Sequence, residues 1–197
     1  MFTKNEFYHC TENQLIIISG KDKFDFIQGI ISNDINFLKK KIAVYSAMLS
    51  PQGRFLYDFF ISYFDNKFYL ECNKNNLKEI FKKLSFFKLK SQVFIEIDNQ
   101  SNIVITNHNN GDIISDKYSD IKYFYDPRFD SFLSRIYLSK KKLELLKQST
   151  FSLISRKKYN DLRLKNFIPD FIDDAIKEKS LLLEMRFDEL NGISWEK

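Results

Sequence analysis

One carboxylate interrupts an otherwise apolar stretch of this chain. Asp58 stands within Phe55-Leu56-Tyr57-Asp58-Phe59-Phe60-Ile61. An unpaired charge in such a setting is costly, so Asp58 must face water, find a partner or meet a ligand. By the two-residue period of a strand, Asp58, Phe60 and Ser62 share one side, and the solvent face of a sheet satisfies that pattern as well as a binding face does. A carboxylate walled by apolar groups also holds its proton more tightly than usual, which suits proton handling where there is chemistry.

The elements that must position Asp58 are legible around it. In Ser50-Pro51-Gln52-Gly53-Arg54, proline pre-sets the first turn position and glycine tolerates a positive φ. The apolar runs Ile42–Leu49 and Phe55–Phe64 flank that turn and are rich in β-branched and aromatic residues, which predicts a β-hairpin. Phe68–Cys72, after the second turn signal Asp65-Asn66-Lys67, extends it to a meander.

Composition excludes several classes. A hydrophobic content of 44% over 197 residues excludes disorder and supports a sizeable core. The net charge of +5 is modest, and Lys39-Lys40-Lys41, Lys140-Lys141-Lys142 and Arg156-Lys157-Lys158 are separate triplets, so no nucleic-acid stripe stands out. Cys10 and Cys72 are too few for a disulfide framework, which points to a cytoplasmic protein. His9 and His108 have no partners at metal-ligand spacing. Nothing at the start reads as a signal peptide, and the apolar run Leu15–Ile18 is too short to span a bilayer, so no membrane is expected among the partners. Phosphate-loop and dinucleotide glycine patterns are missing.

Taken in order, Leu15–Ser19 predicts a strand and Lys23–Ile31 a helix capped by Asp22. Leu77, Ile80, Phe81 and Leu84 place a second helix, capped by Asn75 or Asn76, after the meander. Gln92–Ile97 and Ile103–Thr106 read as strands, Asn107–Gly111 as a turn, and Asp112–Ser115 as the strand closing that hairpin. Ile121–Tyr125 and Phe132–Leu138 are further strands, joined through Asp126-Pro127-Arg128. Lys140–Gln148 is a short helix, and Ser149 or Thr150 caps another over Phe151–Asn166. Past Pro169, Leu181-Leu182-Leu183 leads to a second carboxylate, Glu184, and after the Asn191-Gly192 turn Ile193-Ser194-Trp195 begins a strand.

Three passages together resemble the YgfZ-type relatives of the glycine-cleavage T-protein, the tetrahydrofolate-binding aminomethyltransferase. The first is the run from Gly20 to Ile35, with Phe26-Ile27-Gln28-Gly29 and Ser32-Asn33-Asp34-Ile35. The second is Leu49-Ser50-Pro51-Gln52-Gly53-Arg54-Phe55-Leu56-Tyr57-Asp58. The third gathers Arg163, Ile168-Pro169, Leu183-Glu184 and Leu190-Asn191-Gly192-Ile193-Ser194-Trp195-Glu196-Lys197.

The resemblance implies an α+β, GcvT-like folate-binding fold of two interlocked lobes of antiparallel sheet plus helices. Residues 1–41 and 98–166 are expected in one lobe, and 42–97 with 167–197 in the other. Lys197 falls at the first residue of the family's Lys-Gly-Cys motif, so the motif's cysteine and the C-terminal β-barrel are expected to be absent. Asp58 falls where the family's paired aspartates meet folate, with Tyr57 in place of one of them. Arg163 and Glu184 fall in segments lining the same pocket, and Asn33 supports the turn that closes the first motif. Physically, a pterin edge suits bidentate pairing with a carboxylate, and the anionic tail of folate suits Arg or Lys. The implied function is a tetrahydrofolate-binding accessory role in iron–sulfur cluster assembly or repair, beside iron–sulfur assembly proteins and without turnover of its own. A folate-dependent aminomethyltransferase and an α+β binding module without folate are the alternatives.

Overall fold

Alternation of large apolar side chains makes the sheets of this protein, and amphipathic helices cover them. A computed structural model describes Phe2, residues 5–128 and residues 132–197. The chain divides into two units, one of Met1–Thr11, Gln100–Asp126 and Ser131–Asp170, the other of Glu12–Asn99, Pro127–Asp130 and Phe171–Lys197. The strands, in chain order, are β1 Glu6–Cys10, β2 Asn13–Ser19, β3 Ala43–Leu49, β4 Phe55–Phe64, β5 Lys67–Asn73, β6 Phe94–Asp98, β7 Ser101–Asn107, β8 Lys122–Tyr125, β9 Leu133–Ser139 and β10 Ser152–Leu153. The α-helices are α1 Lys23–Gln28, α2 Leu77–Phe87, α3 His108–Lys117, α4 Lys140–Lys147, α5 Arg156–Lys165 and α6 Phe171–Asp174.

The unit that holds Asp58 is built on the predicted meander. Its sheet has the order β3-β4-β5-β2-β6, antiparallel throughout. The first turn closes as expected: Gly53 sits at φ +74, and its N–H donates to the Ser50 carbonyl at 2.9 Å. The second is a two-residue turn with Asp65 and Asn66 both left-handed, the geometry that matches strand twist in a tight hairpin. β2 pairs with β5 from Asn13↔Asn73 to Ile18↔Phe68, so residues 12–41 sit with the hairpin rather than with the first lobe. Ile27 of α1 and Ile80 and Leu84 of α2 pack on one face against Ile16, Val44, Phe59, Ile61 and Leu70. Each such fully buried side chain contributes about 1.5–3 kcal/mol.

The other unit carries a sheet of order β10-β1-β7-β9-β8, in which only β10 and β1 run parallel. Asp126 and Arg135 form an ion pair there at 3.1 Å, with both side chains almost wholly buried.

Several local expectations are corrected. Asp22 and Asn76 precede their helices without capping through their side chains; the Asp22 carboxylate accepts from the Gln92 N–H at 2.7 Å instead. The expected turn and strand over 107–115 are the helix α3, capped by Asn107, whose side chain accepts from the Asn110 N–H at 2.9 Å. Gly111 lets that helix lie close on β9: a Cβ there would meet Ser134 Oγ at 2.6 Å. The expected helix over 151–166 begins only at Arg156, capped by Ser155, because Ser152–Leu153 is taken by β1. Residues 193–195 form no strand; the Ser194 N–H donates to the Ser32 carbonyl at 3.1 Å and lays the segment along that loop.

Candidate functional site

The face of β4 that carries Asp58 is not a water face. Phe60 and Ser62 beside it are buried, as are Tyr45 and Ala47 on β3 and Tyr69 and Glu71 on β5, while Asp58 itself is half-buried. Asp58 stands opposite Ala47 in the register, diagonal to Tyr45. The Tyr45 hydroxyl donates to Asp58 Oδ2 at 2.7 Å, which fixes the carboxylate on the sheet. A register irregularity at Met48/Leu49 leaves Leu56 as an extra residue in β4. Such a bulge re-aims the neighbouring side chain. Phe55 thereby joins Tyr45, Phe171 and Phe187 in one aromatic group, with Tyr45 and Phe187 stacked at 5.2 Å. Over it lies Arg128, its guanidinium 4.7 Å from the Phe60 ring and 5.3 Å from the Tyr45 ring. Cation–π contact of this kind holds a planar cation flat on the rings.

Further along the same face, Glu71 is buried opposite Phe60 and accepts from Asn13 Nδ2 at 2.7 Å. Ser62 Oγ is buried with no hydrogen-bond partner among the described residues. An orphaned hydroxyl inside a sheet is uncommon and costly. Cys72, on the opposite face, shows how negative this region is: burial first, and then the charges of Asp58 and Glu71, push its thiol pKa far up. It is an inert thiol. Among the described residues no group of His, Cys, Asp and Glu could hold a metal ion.

The five residues singled out in the sequence fall in different places. Tyr57 points to the helix-packed face, away from Asp58. Its hydroxyl donates to Glu79 Oε2 at 2.7 Å, and Lys177 Nζ lies 4.5 Å from its ring. Burial is the main reason its pKa is raised. Asn33 is buried and ties three segments together: Nδ2 donates to the carbonyls of Tyr45 and Asn191, both at 2.8 Å, and Oδ1 accepts from the Asp34 N–H. It thus grips the backbone of the residue whose hydroxyl holds Asp58. Asn33 also borders a cleft of about 350 Å³ with Phe37, Lys41, Asp188 and Trp195. Glu184 is exposed on a single 3-10 turn, where it accepts from the Leu181 N–H at 3.3 Å. Arg163 belongs to the other unit, on α5, and donates to Asn160 Oδ1 and the Ile168 carbonyl, both at 3.1 Å. Within the unit of Asp58 the structure therefore brings Asn33 and Asp58 together through Tyr45, and leaves Tyr57 and Glu184 apart from them.

Tyr45 and Arg128 escape sequence reasoning. Tyr45 has a weak signal, a polar-tipped aromatic two residues out of register from Asp58 on the paired strand. Arg128 has none beyond its place after Asp126-Pro127, which reads as a connection.

The fold is that of the aminomethyltransferases. The crystal structure of glycine cleavage system aminomethyltransferase T from Bartonella henselae superposes with a TM-score of 0.75 at 15% identity, over 90% of this chain and 55% of that one. In sequence, the chain is 25% identical over 204 residues to the mitochondrial iron–sulfur cluster assembly factor IBA57 homolog of Neurospora crassa, covering 95% of this chain and 46% of that protein. The Mycosarcoma maydis homolog is 26% identical over 200 residues, covering 93% and 48%. An aminomethyltransferase of Bacillus subtilis is 33% identical over 85 residues, which are 43% of this chain and 23% of that protein. No family model matches. The chain is similar in sequence to IBA57 proteins and aminomethyltransferases, and it spans just under half the length of the two assembly factors. None of the helices among the described residues is long and apolar enough to cross a membrane.

Proposed function

We propose that this protein binds a reduced folate, tetrahydrofolate, at the Asp58 face and serves as an accessory factor in iron–sulfur cluster assembly or repair, alongside iron–sulfur assembly proteins. The single observation that carries the folate reading is the setting of Asp58: a carboxylate fixed by the Tyr45 hydroxyl on a buried aromatic face, beneath the Arg128 guanidinium. The role in cluster assembly draws on the likeness to the IBA57 proteins along nearly the whole chain.

The residues present fit the ligand. A carboxylate, an unpartnered Ser62 hydroxyl and flanking aromatic rings form a donor–acceptor set for a flat heterocycle with an N–H edge. Tetrahydrofolate supplies a reduced pterin able to carry a one-carbon unit. Asp58 accepts hydrogen bonds from the pterin edge, Tyr45 keeps the carboxylate oriented, and Arg128 supplies positive charge on the same face for an anionic group. Asn33 acts as a positioning residue through the Tyr45 backbone. Arg163 and Glu184 enter the proposal through the resemblance alone; Tyr57, on the opposite face of β4, has no part in it.

Calorimetric titration of the chain with tetrahydrofolate, wild type against Asp58→Asn, tests this. The amide keeps an acceptor for Tyr45, so the variant stays folded. Wild-type binding weakened about tenfold or more, ~1.4 kcal/mol, in the variant is the expected result. No binding in a chain with a cooperative melt, or equal binding by both, removes the proposal.

A further inference from the structure

The C-terminal end of α2 and the turn that follows carry a surface that the folate reading does not use. Phe86, Leu89 and Phe94 are 73%, 84% and 68% exposed. The Phe86 and Phe87 rings meet edge-on at 5.8 Å, and Lys88 Nζ, from the end of α2, reaches to 5.7 Å from the Phe94 ring centroid at the start of β6. The turn is firmly bonded. The Lys88 N–H donates to the Leu84 carbonyl at 3.0 Å, and the Ser91 N–H to the Lys88 carbonyl at 2.8 Å. Leu89 is held at φ +43, a left-handed conformation unfavourable for a branched residue, with its side chain directed away from any core.

Lysine predominates in the charge around the patch. Lys82, Lys83, Lys88 and Lys90 interleave with the apolar residues, and no Asp or Glu occurs from Ile80 to Ile95. The carboxylates nearby are the exposed Glu96, two residues beyond Phe94 on the same face of β6, and Asp22 and Asp25, which line a cleft with Phe87 and Ser91; that of Asp22 is engaged by the Gln92 N–H. Lysine is depleted in protein–protein interfaces, and single-stranded nucleic acid is bound along grooves, whereas Phe86, Leu89 and Phe94 are highly exposed rather than recessed. Lysine stems that lie along apolar surface while their ammonium groups reach phosphate are the chemistry of a membrane surface.

We propose that this tip docks on an anionic lipid bilayer. Phe86, Leu89 and Phe94 enter the boundary between headgroups and acyl chains, and Lys82, Lys88 and Lys90 meet the lipid phosphates. Spanning a bilayer requires a long apolar run; lying on one requires only an apolar tip ringed by cations.

The test is flotation of the whole chain with vesicles of phosphatidylcholine alone, and of phosphatidylcholine with phosphatidylglycerol at about 3:1, the second carrying the negative surface. The chain is expected to float with the anionic vesicles only, and to be released by salt. Leu89→Ser/Phe94→Ser and Lys88→Glu/Lys90→Glu are each expected to weaken binding about tenfold or more, with unchanged melting temperature. Wild-type protein left unbound by both vesicles overturns the proposal, as does undiminished binding by the variants. Binding to oligouridylate without vesicle binding would assign the tip to nucleic acid. A concentration-dependent dimer dissolved by Leu89→Ser/Phe94→Ser, again without vesicle binding, would assign it to a second copy. Folate titration reads neither outcome, so the two proposals stand or fall separately.

Discussion

The two faces of the β3-β4-β5-β2-β6 sheet are made by alternate residues of the same strands, and they differ in kind. Toward α1 and α2 stand Ile16, Ile18, Phe59, Ile61, Phe68 and Leu70, with Tyr57 reaching out past them to Glu79. On the other face stand Tyr45, Asp58, Phe60, Ser62, Tyr69 and Glu71, with Arg128 above. Both faces are largely buried, so burial alone does not separate them. Polar content does. The first face is what dispersion and the hydrophobic effect select for stability. The second keeps carboxylates and an orphaned hydroxyl that a merely stable core would replace with apolar groups. In the other unit a structural role accounts for the buried Asp126–Arg135 ion pair.

This contrast can be broken most forcefully at Phe59. Phe59→Ala is expected to cost about 3–5 kcal/mol in a denaturant melt, by loss of transfer energy plus the cavity left behind. Protein that remains folded should bind folate as the wild type does. A Phe59→Ala variant that melts normally and loses folate would invert the assignment of the two faces. Asp58→Asn should show the opposite pattern, a loss of affinity with stability changed by no more than about 1 kcal/mol.

A smaller effect is expected at Tyr57→Phe, which removes the hydrogen bond to Glu79 and keeps the ring. The loss should be roughly 0.5–1.5 kcal/mol of stability with folate affinity intact. A drop in affinity instead would bring Tyr57 into the site from across the sheet.

The smallest effect is electrostatic. The hydrogen bond from Lys177, then that from Tyr57, holds the Glu79 carboxyl below its ordinary value of 4.5. A depressed carboxylate contributes stability above that ordinary value, and the contribution disappears as pH falls through the folded value. Wild-type stability should therefore fall more steeply below about pH 4.5 than that of Glu79→Gln. Parallel acid limbs in urea melts would show that this exposed pair is screened into irrelevance.

Local signals made the Asp58 unit readable in advance. Turn residues at 51, 53 and 65–66, the apolar runs rich in β-branched and aromatic residues in β3 to β5 and the apolar spacing of α2 all agree with the final fold. The other unit was less legible. α3 contains Asn109, Asn110, Gly111 and Asp112, all poor helix formers, and exists because Asn107 caps it and Gly111 and Ile114 pack on the sheet. β10 is two residues long and owes its form to pairing with β1, a non-local partner that no window of sequence displays. Asp58 was visible as a site candidate because a charge inside an apolar run is a local anomaly. Arg128 was not, because its place over Phe60 and Tyr45 joins residues 68 and 83 positions apart along the chain.

The sequence by itself therefore determined the hairpin, the helix that covers it, the family likeness and the suspect carboxylate. These follow from turn chemistry, periodicity and motif spacing, which act over a few residues. Only the tertiary structure decided that Asp58 lies on a buried aromatic face rather than in water. It alone set Tyr57 and Asp58 to separate tasks, and gave Tyr45 and Arg128 their places beside them. Those outcomes depend on which strands pair and in what register. A shift of one residue in that register would exchange the two faces of β4.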